Sequence, residues 1–105
     1  MGLEERTADG QIVLQLYVAG RAPHSVQALA NLKAILEAYA ESSEYSLEVI
    51  DALEEPLRAL EAGILITPSL VQLAPARVHL VGALNDRQEV ARLLGLDVAP
   101  GKVER

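Results

Sequence analysis

Two histidines, His24 and His79, are the first residues to weigh for chemistry, because imidazole is the side chain that most readily carries a proton or a metal near neutral pH. They fall on different elements, and neither a cysteine nor an Asp or Glu at ligand spacing completes a metal set around either one. They read as a polar residue at a helix start and a residue on a sheet face. Ser25 stands beside His24 but lacks the Gly-x-Ser-x-Gly elbow and the Asp partner that would activate its hydroxyl. Capping a helix is a sufficient reason for a serine there. Glu54, Glu55 and Glu61 have the composition of an acid–base set, yet carboxylates beside a helix start are favoured by the helix dipole alone. The segment "GRAPHSVQ", residues 20–27, has one glycine and no Lys-Ser or Lys-Thr pair, so it is not a phosphate loop. The absence of cysteine removes disulfides, thiolate catalysis and thiolate zinc sites. The sequence therefore offers no catalytic, cofactor-binding or metal residue.

Composition narrows the partners. A chain of 105 residues makes one domain, and with half its residues hydrophobic it can fill a core. The only aromatics are Tyr17, Tyr39 and Tyr45, so that core is aliphatic. The formal charge is −6 and the nine basic residues are scattered, which argues against nucleic acid, whose phosphates call for clustered Lys and Arg. No apolar run approaches the ~20 residues of a membrane span. The acidic start "MGLEERTADG" has no apolar signal core, and Arg6 stands where a myristoylation pattern wants Ser or Thr. The expectation is a cytoplasmic protein with no membrane contact. Residues 1–10 read as a flexible tail, 11–96 as the domain and 97–105 as a C-terminal tail.

The elements that would position these residues follow from periodicity. Ile12–Val18, "IVLQLYV", is a short apolar run of the kind found in strands covered on both faces. Gly20 ends it, and Pro23 with Ser25 opens a helix whose apolar positions Leu29, Leu32, Leu36 and Tyr39 share one stripe, with Val26 and Ile35 at its edges. Either Ser25 or His24 is placed to cap it. Tyr45–Asp51, "YSLEVID", alternates as a strand, and the strand–helix–strand order suggests a parallel βαβ unit. Pro56 opens a short helix over 56–62 that Gly63 closes. "ILITPSLVQL" returns to strand composition, and its strand should start at or just after Pro68, which cannot donate to a ladder. A turn at 74–76 and the alternating "RVHLVG" complete a hairpin. Asp86 with Glu89 resembles a capping box for a last helix over 87–94, ended by Gly95. The resulting order βαβαββα, around a four-stranded mixed sheet, is the thioredoxin-like α/β order.

A closer resemblance rests on "LYVAGRAPHSVQAL", "EVIDALEEP", "ILITPSL" and "VGALNDR". In this order and spacing, from about Leu14 to Leu96, they resemble the KaiB family of circadian clock proteins. The resemblance implies a non-enzymatic protein without cofactor that binds a KaiC-like ATPase and, through that complex, a KaiA-like protein. It also implies two folds: a thioredoxin-like monomer that binds KaiC, and a ground state ordered βαββααβ, commonly tetrameric. A related thioredoxin-like domain serves as the sensor of the clock kinase SasA. Local propensity over 56–62, 65–73, 77–82 and 87–94 agrees with the thioredoxin-like order, so that form is expected to dominate, as a monomer.

The resemblance also assigns roles. Gly20, Pro23, Ser25, Asp51, Thr67, Pro68 and Gly82 match its structural positions, and Thr67–Pro68 is expected to be cis. Gln27, Glu54, Arg58 and Arg77 are the candidate partner-binding residues. Here the chain departs from the family, which is basic at the positions of Gln27 and Glu54 and has Asp where Ala83 stands. The departures point to a divergent paralogue. Three readings stay beside this one: a KaiB-like protein with a partner outside any clock, a thioredoxin-fold enzyme using chemistry other than thiols, and a constitutive oligomeric structural protein.

Overall fold

A computed structural model describes residues 11–96. The tails expected at 1–10 and 97–105 lie outside the described residues. The elements are β1 (Ile12–Val18), α1 (Pro23–Tyr39), a single 3-10 turn (Ser42–Glu44), β2 (Tyr45–Asp51), α2 (Pro56–Glu61), β3 (Ser69–Ala74), β4 (Val78–Val81) and α3 (Arg87–Leu93). This is the thioredoxin-like order. The four strands form one mixed sheet, β2-β1-β3-β4. β1 pairs with β2 in parallel, and β3 is antiparallel to both β1 and β4.

Strand register divides the side chains between two faces. On the first, Ile12, Leu14, Leu16 and Val18 meet Leu70 beneath α1 and α3, joined by Leu84, Val90 and Leu94. On the second, Tyr17, Ile50 and Val71 are covered by Ala59 of α2 and by Ile64. Each fully buried aliphatic side chain here contributes roughly 1.5–3 kcal/mol through removal from water. β1 stands between β2 and β3 and is buried from both sides, which is why its run is almost unbroken.

The helices differ from the sequence expectation in detail. α1 begins at Pro23, with Ala22 as N-cap and no side chain bonded to its first turn. Neither Ser25 nor His24 caps it. Ser25 is buried, and its Oγ instead accepts the Ala19 N–H at 3.0 Å, which ties the loop to the helix that follows it. The buried stripe is Ser25, Ala28, Asn31, Leu32, Ile35 and Leu36. Ile35 thus lies at its centre, Leu29 and Tyr39 are only partly buried, and Val26 is exposed. At α3, Asp86 caps as expected by accepting from Glu89 N–H at 3.1 Å. The Glu89 carboxylate pairs with Arg92.

Candidate functional site

The pairing of the strands decides which loops meet. Val18 at the end of β1 lies beside Asp51 at the end of β2. β3 starts at the same end, since Ser69 pairs with Tyr17 and, on its other side, with Val81 at the end of β4. The β1–α1 loop, the β2–α2 loop, the segment leading into β3 and the exit from β4 therefore converge at one edge of the molecule.

Backbone hydrogen bonds hold them there. One carboxylate oxygen of Asp51 accepts the N–H of Gly20 at 3.0 Å and that of Leu53 at 2.9 Å. Gly20 has φ +53, a left-handed conformation that glycine adopts without steric cost, and a Cβ there would stand 3.4 Å from Leu53 Cδ1. Gly82 N–H donates to the Pro68 carbonyl at 2.9 Å, closing β4 onto the start of β3. The Thr67–Pro68 peptide is cis; so is Ala74–Pro75, which carried no signal beyond its turn composition. Six of the seven structural candidates are thus gathered at this end in three contacts, Gly20 with Asp51, Ser25 with Ala19, and Thr67–Pro68 with Gly82. Pro23, the seventh, opens α1 beside them.

This end also exposes large apolar side chains. Leu53, Leu57, Leu60, Leu65 and Ile66 all stand largely in water, Leu65 at 87 % exposure. The sequence reading missed this. Leu57 and Leu60, three apart on a helix, carry the spacing of a buried stripe, yet α2 buries only Ala59. His24 and His79 are exposed on α1 and β4, and no group of three or more His, Cys, Asp or Glu among the described residues could hold a metal ion.

The KaiB domain model matches residues 15–96, which includes all four converging loops. The chain belongs to the KaiB family. The circadian clock oscillator protein KaiB of Synechococcus elongatus is 45% identical over 93 residues, 88% of either chain. KaiB of Nostoc punctiforme is 49% identical over 87 residues, 82% of this chain and 81% of that one. Among solved structures, the N-terminal domain of Synechococcus elongatus SasA superposes with a TM-score of 0.66 at 29% identity, covering 81% of this chain and 84% of that one. The thioredoxin Deadhead of Drosophila melanogaster reaches the same TM-score at 17% identity over 88% of this chain and 86% of its own, a likeness of fold alone.

Within this KaiB-family domain the four partner-binding candidates do not form one cluster. Gln27 is exposed on α1 and Glu54 on the β2–α2 loop, both near the converging loops. Arg77 lies on the β3–β4 turn, at the opposite end of the sheet. Arg58 is half-buried on α2 and engaged: Nη1 and Nη2 donate to the two carboxylate oxygens of Glu48 at 2.8 and 2.7 Å, with Glu55 a further 3.5 Å contact. These hydrogen bonds hold the Glu48 carboxyl below the usual carboxylate range. Burial raises the Tyr17 phenol, whose hydroxyl donates to Gln15 Oε1 at 2.9 Å. None of these groups forms a nucleophile–base pair.

Proposed function

We propose that this chain is a non-enzymatic, KaiB-like interaction module of a circadian clock, acting in the cytoplasm as a monomer. It binds a KaiC-like ATPase in its thioredoxin-like state and engages a KaiA-like protein through that complex. The observation that carries the reading is the combination of a KaiB-family sequence with the thioredoxin-like order, the form that the family resemblance associates with KaiC binding. The lack of cysteine and of any nucleophile–base pair among the described residues supports a role for the surface rather than for chemistry. Gln27 and Glu54, neutral and acidic where the family resemblance implies basic residues, favour one second reading: a paralogue whose partner lies outside a clock. Titration against a KaiC-type ATPase, read by size-exclusion chromatography and calorimetry, tests the proposal. A complex formed by the thioredoxin-like monomer is expected; no complex at any ratio overturns the clock reading.

A further inference from the structure

Helix α2 is patterned inside out. It has six residues, buries Ala59, and presents Leu57 and Leu60 to solvent at 72% and 65% exposure. Leu53 before it and Leu65 and Ile66 after it are also mostly exposed. A groove lined by Pro56, Leu60, Ile64, Leu65 and Thr67 joins the helix to the loop that leads into β3, so Leu60 and Leu65 share one apolar surface, and Leu57 stands three residues before Leu60 on the same helix. Exposed aliphatic side chains gathered in one place on a small domain point to a contact with another molecule. The charges around it are mostly negative. Residues 51–66 hold Asp51, Glu54, Glu55 and Glu61 against Arg58 alone, and that guanidinium is already bound by Glu48 and Glu55. Glu54 and Glu61 are exposed and form no ion pair with any described residue. A second copy of the chain would bring acid against acid across this rim.

We infer that the α2 face is a docking surface for an amphipathic segment of another protein that carries Lys or Arg beside aliphatic or aromatic side chains. Its apolar residues sit on Leu57, Leu60 and Leu65, and its cations meet Glu54 and Glu61. The hydrophobic contact supplies most of the affinity, and the charges supply orientation and encounter rate. The inference rests on the reading of the chain as an interaction module, but not on its partner being a KaiC-like ATPase.

The test uses the full chain and a synthetic amphipathic peptide of Leu and Lys, with a Leu/Glu peptide of the same register as control. Amide shift changes should centre on residues 51–67. Leu57→Ser with Leu60→Ser alters only exposed side chains and should weaken binding about tenfold or more, as loss of central apolar contacts does. Glu54→Gln with Glu61→Gln should weaken it less and flatten its salt dependence. Equal binding of the Leu/Glu peptide, shift changes spread over the whole acidic surface, or unchanged affinity in the leucine variant would each overturn the inference. Sedimentation showing a dimer that the leucine variant dissolves would assign the face to a second copy instead. A KaiC-type ATPase that binds while the Lys peptide does not would sink this inference and leave the proposed function standing.

Discussion

Arg87 Nε donates to Asn31 Oδ1 at 2.9 Å, across 56 positions of sequence. The Asn31 amide nitrogen in turn donates to the Ala83 carbonyl at 2.8 Å and to Asn85 Oδ1 at 3.2 Å. One buried asparagine on α1 therefore collects the chain leaving β4 and the start of α3. Polar burial is tolerated here because the amide is bonded through both of its ends.

Replacing Asn31 with Ala should lower stability by about 1–3 kcal/mol, since it strands the donors and acceptors that the amide now pairs. Arg87→Ala should cost less, because Arg87 is exposed and water can replace it at the Asn31 oxygen. Urea denaturation of both variants measures the difference. A neutral Asn31→Ala would show that α3 docks through its apolar side chains alone.

Asp51 joins the β1–α1 and β2–α2 loops through a single carboxylate oxygen. Asp51→Ala should lose about 1.5–3 kcal/mol, the range for hydrogen bonds to a charged group. Asp51→Asn keeps an acceptor in place and should lose clearly less. Amide exchange at Gly20 and Leu53 provides a local check: both should exchange faster in the Ala variant, and unchanged protection would mean the bonds do not form in solution.

Glu48 should titrate below 4.5, its ordinary value, because Arg58 hydrogen-bonds its ionised form. A carboxyl depressed by folding adds stability above its unfolded pKa, and that increment fades as pH falls through the folded value. Arg58→Met should therefore return the Glu48 carboxyl-carbon midpoint toward 4.5. The stability difference between wild type and variant should narrow in acid, below that value. A Glu48 midpoint that does not move in the variant would show that the pair is not held in solution.

Charge at Glu54 separates the two partner readings. Gln27→Arg with Glu54→Lys should strengthen binding to a standard KaiC, more so at low salt, if these positions face that ATPase. Glu54→Lys should weaken binding of the Lys-bearing peptide at the α2 face. Calorimetry at two salt concentrations reads both. Weaker or equal KaiC binding by the double variant would remove Gln27 and Glu54 from that interface.

The amino-acid sequence by itself determined the order and type of the elements. Glycine and proline punctuate the chain at Gly20, Pro23, Pro56, Gly63, Pro68 and Gly95, and the runs between them have the strand or helix composition that the thioredoxin-like order displays. The family motifs lie in the same runs, so fold and kinship were legible together. Tertiary structure alone decided which face of α1 is buried. That helix is apolar nearly all round, so spacing admits several stripes, and the sheet selected the one carrying Ser25 and Asn31. Those two polar residues are buried because their partners arrive from Ala19, Ala83 and Arg87. No local signal announces the partners of Asn31, because hydrogen bonds between distant segments exist only once the sheet has set their positions. The exposed leucines of α2 follow the same logic. Ala59 fills the space above Tyr17 and Ile50, and a helix one turn and a half long has no second face to bury.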